Sequence, residues 1–529
     1  MPAHQTVHDV PCHANAWLMQ TLRDGMGFGA GVALSDCDDV GQTYHARMAA
    51  NRSHAAALAL IAGVDWDLQC GTNPEEWGYG NGYLAEALDE GLVLPEVLDA
   101  SARRVLQQKF AARLFDEPYA DTEGVKAKLD TPAHRSLARE AAEQGIVLLQ
   151  NTNSTLPLGN LTGRRLAVIG PLTNDTTALA GSYVLSGAHV VTVPEALASL
   201  GATVHTEQGC ESSGDPLTSC SPEGLARATA LAASADVTLL VLGDGDGECG
   251  EWGDRDSLEM GGGQLPLLRA VASAANGKPV VLVLVHGRPQ TFGPSNNALA
   301  GVGAVLSAWR PGEEGGTAIV SILTGAVNPS GKLTQSWPRT VGHVGGGGAP
   351  WLQRVRGKWV ANNKGCTSAT GRCFDKYADS RYDATPLFGF GFGLSYTKFA
   401  YHALRVAPLL PAAALIGATG YRSPLVGTAV WNVTVDIANE GGIEGVEVIQ
   451  LYVQDPAGQG PFVPYWRRLV AFGRVRCAAG EVCSCAIPVS WEHLAQFDGE
   501  MRLRVLSGSY RVFAGGSAED TPLEMNVVV

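Results

Sequence analysis

Residues 31–40, GVALSDCDDV, place a short apolar run directly before a cluster of carboxylates. Residues 32–34 have the composition of a buried strand, and Asp36, Asp38 and Asp39 follow it closely. Carboxylates just past the end of a buried strand are costly to keep unless they bind or react with something. The pattern therefore predicts that Asp36 is a catalytic nucleophile.

Other interpretations of these aspartates stay open. An aspartate after a strand often caps the next helix. A calcium loop of the EF-hand type is disfavoured, because it needs Glu at its twelfth position and counting from Asp36 places Arg47 there. A metal-bound pair of aspartates is possible in principle, but no histidine or further carboxylate follows at ligand spacing. The sequence predicts no metal site.

Composition bounds the class of protein. The chain has 529 residues, 45% of them hydrophobic, with 65 Gly and 28 Pro. This is a globular composition with enough core for about three domains. The net charge of −14 argues against a nucleic-acid partner. No apolar run approaches the ~18 residues of a membrane span, so no membrane partner is expected.

Cysteines and glycosylation sequons favour an oxidising compartment. The 11 Cys include the close pairs Cys210/Cys220 and Cys366/Cys373, which would suit disulfides. No CxxC pairs have zinc spacing. Sequons begin at Asn51, Asn153, Asn160, Asn174 and Asn432. Together these features favour secretion, although the N-terminus shows no basic and apolar segments of a signal peptide.

Hydrophobic periodicity divides the chain into three parts. The first alternates strands with helices, and a polar linker follows at residues 116–132. Its predicted strands are 32–35 and 64–68, and its predicted helices are 14–22, 44–62 and 82–115, the last interrupted at Pro95.

The second part alternates in the same way, which indicates an α/β domain with a mostly parallel sheet. Its predicted strands are 164–170, 236–242, 279–285 and 302–309, and its predicted helices are 133–147, 221–233, 264–275 and 314–324.

From about residue 390 helical spacing disappears, which indicates a β-sandwich. Its predicted strands are 428–437, 446–453, 468–475, 483–489 and 509–514.

A second acid-rich segment, residues 242–259, follows the predicted strand 236–242. Its glycines match a dinucleotide fingerprint by count, but its carboxylates would repel pyrophosphate, so no cofactor is expected. Two carboxylates are what glycoside hydrolysis needs, and one of them must hold a proton near neutral pH. Glu251, among Glu248 and Asp254, meets that condition. A merely solvated acidic loop is at least as compatible with composition alone.

Several motifs now resemble those of one family. In chain order they are VPCHANAWLMQTLRDGMGF (10–28), LSDCDDV (34–40), AREAAEQGIVLLQNTNSTLPL (138–158), CGEWGDRDSLEMGGGQLPLL (249–268), AWRPGEEGGTAIVSILTGAVNPSGKL (308–333), FGFGFGLSYTKF (388–399) and VIQLYVQDP (448–456). They resemble glycoside hydrolase family 3, and Cys37 in place of a tryptophan favours its β-xylosidase/α-L-arabinofuranosidase branch. The resemblance implies that Asp36 is the nucleophile and Glu251 the acid/base, with Glu248 as the fallback.

The resemblance also implies a fold and an activity. The expected fold is α/β: the C-terminal part of a (β/α)8 barrel at 1–116, a linker at 117–135, an α/β sandwich domain at 136–345, a connecting segment at 346–389 and a fibronectin type III-like β-sandwich at 390–529. The expected activity is retaining exo-hydrolysis of terminal β-D-xylosyl, and in addition α-L-arabinofuranosyl, residues of xylan-derived oligosaccharides.

The first part is short for this fold. A (β/α)8 barrel takes roughly 250 residues, whereas about 115 precede the linker. We therefore expect the chain to lack most of the N-terminal barrel, as a piece of a longer protein rather than as a degenerate relative. Trp66, Trp77, Trp252 and Arg255 are candidate sugar contacts, although packing explains aromatic residues equally well. A β-glucosidase and a non-catalytic carbohydrate-binding remnant are the rival functions.

Overall fold

The computed structural model describes residues 1–2, 5–70, 78–184, 187–214, 218–251, 253–341, 386–421, 423–456, 467–500 and 502–529. The chain divides into two compact units. Unit 1 comprises Met1–Lys128 and Ala418–Val426, and unit 2 comprises Leu129–Gly417 and Gly427–Val529. The finer domain boundaries expected from the sequence stay predictions. Among the described residues, no helix combines the length and the apolar character that crossing a membrane requires.

Unit 1 is mostly helical. Its strands β1 (Thr6–Val7) and β2 (Val10–Pro11) form one short antiparallel pair. Its helices are α1 (Ala16–Gln20), α2 (Asp39–His45), α3 (Arg52–Ala62), α4 (Tyr83–Asp89), α5 (Pro95–Ala111) and α6 (Thr122–Lys128). Pro95 begins α5, where its missing N–H costs nothing. The segment expected to be a polar linker contains α6.

The two strands predicted in unit 1 are reduced to a single bridge. Leu34 and Trp66 pair in parallel, supported by hydrogen bonds from Ser35 N to Trp66 O (2.8 Å) and from Asp65 N to Ala33 O (2.7 Å). The prediction of regular strands at 32–35 and 64–68 is therefore wrong. The ladder does not extend because the Ala33 amide donates to the Asp65 side chain at 3.0 Å rather than to a backbone carbonyl.

Unit 2 contains a six-stranded sheet with the order β3-β8-β7-β6-β4-β5. The strands are β3 (Val147–Asn151), β4 (Arg165–Ile169), β5 (Thr203–Glu207), β6 (Val237–Gly243), β7 (Val280–Val285) and β8 (Ala304–Trp309). All neighbours are parallel except β3, which pairs antiparallel with β8. The helices are α7 (Pro132–Gly145), α8 (Thr176–Ala180), α9 (Val193–Ser199), α10 (Pro222–Ser234), α11 (Gln264–Ala274) and α12 (Gly315–Thr324).

The central strands are buried on both faces. Every residue of β6, VTLLVLG, and of β7, VVLVLV, is buried. Alternate residues of these strands enter two separate apolar clusters, one on each face of the sheet. Because helices cover both faces, these strands are near-continuous apolar runs, as expected for a parallel sheet. Their predicted bounds are confirmed to within two residues.

The C-terminal part of unit 2 is a pair of antiparallel sheets. Their orders are β13-β10-β9 and β12-β11-β16-β17. The long strands are β9 (Phe399–Pro408), β10 (Ala429–Asn439), β11 (Gly445–Gln454), β12 (Arg468–Cys477), β13 (Val482–Ser490), β16 (Ser509–Gly515) and β17 (Leu523–Val528). Two-residue strands β14 (Gln496–Phe497) and β15 (Leu503–Arg504), and helices α13 (Ala412–Gly417) and α14 (Trp491–Leu494), complete it. The ring edge of Trp431 on β10 meets Tyr510 on β16 across the core.

An ion pair between a half-buried lysine and a buried glutamate joins this β-sandwich to the segment after α12. Lys332 Nζ lies 3.4 Å from Glu447 Oε1 on β11, and the Tyr401 hydroxyl of β9 donates to the same oxygen at 2.9 Å. Lys332 also donates to the Gly393 carbonyl. Burial raises the pKa of Glu447 above its ordinary value, while Lys332 and Tyr401 act against that rise. The two parts of unit 2 thus share a desolvated charge pair.

Candidate functional site

The Leu34–Trp66 bridge places two acidic residues at the same end of two parallel segments. Asp36 and Asp67 each follow the bridge by one or two residues. Asp36 is half-buried, and its Oδ1 accepts a hydrogen bond from the Cys37 amide at 2.7 Å. A carboxylate fixed by a backbone N–H keeps one orientation, which suits a nucleophile.

A disulfide that the sequence analysis did not anticipate joins the two loops. Cys37 is bonded to Cys70, 33 residues later. Beside it, the Asp38 amide donates to Leu68 O at 3.0 Å, and Asp38 Oδ1 accepts from the Cys70 amide at 3.3 Å. Asp38 adopts the left-handed conformation with φ 57°, so the chain reverses directly into α2. The segment that carries Asp36 is therefore held covalently as well as by hydrogen bonds.

Two neighbouring aspartates have structural partners instead. Asp67 is buried, and its carboxylate accepts from the amides of Gly78 (2.9 Å) and Tyr79 (3.0 Å) and from the Ser35 hydroxyl (3.2 Å). Asp39 is also buried and lies 3.6 Å from the ring of His13. The hydrogen bonds satisfy the Asp67 carboxylate, and Asp36 is less buried than either Asp39 or Asp67.

Asp65, next to the Leu34–Trp66 bridge, is the most highly connected carboxylate of this site. Its side chain is fully buried and pairs with Arg23 at 2.5 Å and with Arg104 at 2.6 Å. Ser101 Oγ donates to the same carboxylate at 2.9 Å. Burial alone would raise the pKa of Asp65, but the hydrogen bonds from Arg104, the Ala33 amide and Arg23 hold that pKa below its ordinary value. Asp65 is thus ionised and ties α5 and the π-helical turn Thr21–Gly25 to the bridge.

The acid-rich loop follows β6, as predicted. Glu251 is exposed, and its Oε2 accepts a hydrogen bond from the Tyr183 hydroxyl at 2.5 Å. Glu248 is half-buried, with its Oε1 3.5 Å from Arg255 Nη1. Burial raises the pKa of Glu248 above its ordinary value; Arg255 acts against the rise and Asp244 adds to it. The two candidate acids therefore occupy different environments on one loop.

The loop is held through its carbonyl groups. Arg288 Nη2 donates to Glu248 O and, at 2.9 Å, to Gly253 O. Arg310 donates to Cys249 O, and Arg255 Nη2 donates to Glu259 O at 2.6 Å. Sequence reasoning missed the roles of Arg288 and Arg310. A signal existed, because both follow β7 and β8, and the carboxyl ends of adjacent parallel strands meet at one edge.

The remaining predicted residues have mixed outcomes. Trp66 is 49% exposed and lines a cavity of about 410 Å³ with Asp67, Tyr79 and their neighbours, but Asp36 does not line it. Trp77 and Trp252 lie outside the described residues. Arg255 contacts carboxylates and a carbonyl of its own loop. All four stay predictions as sugar contacts.

The predicted disulfide Cys210–Cys220 is confirmed, and Cys366 and Cys373 lie outside the described residues. A third disulfide joins Cys477 to Cys483. These two cysteines and Glu481 form the group, within the described part of the chain, whose spacing could suit a metal ion. Since their sulfurs are bonded to each other, they offer no thiolate ligand.

Three domain profiles match the chain. Residues 1–108 match the Glycosyl hydrolase family 3 N terminal domain, residues 146–396 the Glycosyl hydrolase family 3 C-terminal domain, and residues 447–518 the Fibronectin type III-like domain. Because the N-terminal domain is matched, the expectation that the chain lacks most of that barrel domain is not confirmed. The expected fibronectin type III-like domain is confirmed.

Individual proteins match over nearly the whole chain. It is 32% identical to a protein named Beta-xylosidase from Formosa agariphila, over 99% of this chain and 68% of that protein. It is 30% identical to the Periplasmic beta-glucosidase of Salmonella typhimurium, over 97% of this chain and 65% of that protein. The crystal structure of a beta-glucosidase from Listeria innocua in complex with glucose is similar with a TM-score of 0.82 at 29% identity, over 100% of this chain and 67% of that one. The chain thus spans about two thirds of the length of these proteins.

Proposed function

Because the chain belongs to glycosyl hydrolase family 3, a family of β-glycosidases, we propose that it is a retaining exo-glycosidase acting on terminal β-D-xylosyl residues of xylan-derived oligosaccharides. Terminal α-L-arabinofuranosyl residues are a second substrate class in this proposal. The relative named Beta-xylosidase, at 32% identity, supports the choice of sugar. The proposal concerns the activity of the protein as it is isolated from the organism that produces it.

Asp36 is the proposed nucleophile. In a retaining mechanism its carboxylate attacks the anomeric carbon, and the bond to the leaving oxygen breaks as a proton arrives there. A glycosyl ester on Asp36 forms, and water then hydrolyses it. The observation that most supports this role is the anchoring of Asp36 by the Cys37 amide and the Cys37–Cys70 disulfide. Such anchoring holds an attacking oxygen in one place.

Glu251 is the proposed acid/base. It would give its proton to the leaving oxygen and then take one from the attacking water. Its exposure supports this role over Glu248, because the group must reach both a leaving sugar and water. The Tyr183 hydroxyl donates a hydrogen bond to Glu251 Oε2 at 2.5 Å. Glu248 remains the fallback, since burial already raises its pKa.

A β-glucosidase is the second candidate. The Salmonella typhimurium relative and the Listeria innocua structure carry that name, at 30% and 29% identity. The turnover of aryl β-D-xyloside, aryl β-D-glucoside and aryl α-L-arabinofuranoside by the same preparation decides between them. A preference of more than tenfold for the glucoside would replace the first proposal with the second.

We also propose an extracytoplasmic location. The disulfides Cys37–Cys70, Cys210–Cys220 and Cys477–Cys483 are typical of oxidising compartments. One relative is named a periplasmic enzyme.

Trapping the intermediate tests the nucleophile. A 2-deoxy-2-fluoro xyloside with a good leaving group should inactivate the enzyme and add one fluoroglycosyl group to the peptide that contains Asp36. Asp36→Ala should lower kcat by at least ~10³-fold. Asp24→Asn, an exposed aspartate of the same unit, is the matched control and should keep full activity. Label on another residue, or full activity of Asp36→Ala, would contradict the assignment.

Leaving-group dependence tests the acid/base. Glu251→Gln should lower turnover of xylobiose much more than that of an aryl xyloside whose leaving group needs no proton, and azide should restore the second reaction. Glu259→Gln, an exposed carboxylate of the same loop, serves as control. If Glu248→Gln shows this pattern and Glu251→Gln does not, the role belongs to Glu248.

A further inference from the structure

One buried carboxylate beneath the acid-rich loop has no role in the chemistry above. Asp244 follows β6 directly and is 0% exposed. Its carboxylate accepts from Gln290 Nε2 at 2.9 Å and lies 3.5 Å from Arg255 Nη1 and 3.6 Å from Arg288 Nε. A fully buried carboxylate is costly unless it is paired, and these three partners pair it.

Arg255 and Arg288 each contact Asp244 and also donate to carbonyl groups of the loop. Arg288 uses its Nη2 on the carbonyls of Glu248 and Gly253, and Arg255 uses its Nη2 on the carbonyl of Glu259. The described loop backbone has one 3-10 turn, Asp246–Glu248, and no longer helix or strand between β6 and α11. Apart from one bridge between Glu259 and Thr291, the loop is held mainly by these side-chain contacts to its carbonyl groups.

We propose that Asp244 is a positioning residue that fixes Arg255 and Arg288, and through them sets the place of the acid/base carboxyl on the loop. This inference rests on the proposed function of Glu251 and adds to it a residue that touches no substrate. Without the Asp244 charge, the two guanidinium groups lose their common anchor, and the loop carbonyls lose the donors that order them.

The test variant is Asp244→Asn, which keeps the shape and an acceptor for Gln290 but removes the charge. Asp236→Asn is the matched control, because Asp236 precedes the same strand at its other end, is half-buried and contacts Arg165 rather than the loop. The first readout is the ratio of kcat/KM for xylobiose to that for an activated aryl xyloside. We expect Asp244→Asn to lower this ratio at least tenfold and Asp236→Asn to leave it unchanged.

A second readout does not depend on activity. Cys249 is a free, half-buried thiol inside the loop. Its alkylation rate, mapped by peptide mass, should rise at least tenfold in Asp244→Asn and stay constant in Asp236→Asn. An unchanged alkylation rate overturns the inference whether or not the enzyme is a glycosidase. If Asp244→Asn lowers kcat/KM for both substrates by the same factor and also lowers Tm, the inference is overturned and Asp244 serves folding alone. An inactive wild type with faster alkylation in Asp244→Asn supports the loop-ordering role and refutes the proposed function.

Discussion

His286 offers the sharpest test of the electrostatics of unit 2. It follows β7, is 0% exposed, and its ring packs against Trp309 and Trp337 at 4.8 and 5.2 Å. Nδ1 lies 2.7 Å from Arg288 O and Nε2 lies 2.8 Å from Ser307 Oγ. Because a carbonyl only accepts, Nδ1 carries the proton, and Nε2 accepts from the serine. The ring is thus neutral and fully bonded.

Burial lowers the pKa of His286 from 6.5 to about 4. As the pH falls through 6.5, the unfolded chain takes up a proton at this histidine, and the folded chain does not until about pH 4. Stability is therefore lost over that window as the pH falls. At roughly 1.4 kcal/mol per pH unit, the loss attributable to His286 is about 2–3 kcal/mol by pH 4.5.

The substitution His286→Gln removes the titrating group. Its cost in the free energy of unfolding, measured by urea titration with tryptophan fluorescence, should shrink by about 2–3 kcal/mol between pH 7.5 and pH 4.5. Carboxylates that titrate in this range are common to both proteins and cancel. His205→Gln, exposed on β5 of the same sheet, is the matched control for the exchange of histidine for glutamine. An equal cost of His286→Gln at the two pH values would refute the reasoning.

Three further outcomes follow from buried contacts. Replacing both Cys37 and Cys70 by Ser should lower the free energy of unfolding of unit 1 by about 3–4 kcal/mol, since the bond closes a loop with a sequence separation of 33 residues; unchanged urea midpoints would exclude this. Asp65→Asn should cost about 3–5 kcal/mol in the same assay, because it leaves two guanidinium groups without their buried partner, while exposed Asp99→Asn should cost almost nothing. Gln264→Leu should cost at least ~2 kcal/mol by calorimetry, because the buried amide bonds both backbone groups of Gly243, and a neutral result would show that water replaces it.

The parts of the fold that could be predicted are those with a strong hydrophobic signal. Strands β6 and β7 and helices α10–α12 match their predicted bounds closely, because each is an apolar run or an amphipathic repeat. Strand β5, TVHTE, was missed because it is a half-exposed edge with polar side chains. Strand β9, FAYHALRVAP, was missed although most of its side chains are apolar; it is also an edge strand, and none of its residues is buried. Edge strands carry little hydrophobic pattern, so their pairing is visible only in three dimensions.

Some residues of the candidate site could be predicted from the sequence, and others could not. The sequence could indicate Asp36, Glu248 and Glu251, because acidic residues after apolar strands are conspicuous. It could not indicate the bond between Cys37 and Cys70, since only the parallel approach of two distant segments brings them together. Burial raises the pKa of Glu248, the fallback acid/base, above its ordinary value, and the assignment of Glu251 as acid/base stays a prediction.

The ion pair between Lys332 and Glu447 bears on how such a protein can be recombined. The carboxylate belongs to the β-sandwich, and the ammonium belongs to the segment after α12. A chimera that takes its sandwich from a relative without an acid at this position would leave the half-buried Lys332 without its counter-ion, at a cost of about 1–3 kcal/mol. The sandwich and the segment that carries Lys332 should therefore be exchanged together. We expect chimeras that exchange both to fold, and chimeras that exchange the sandwich alone to aggregate.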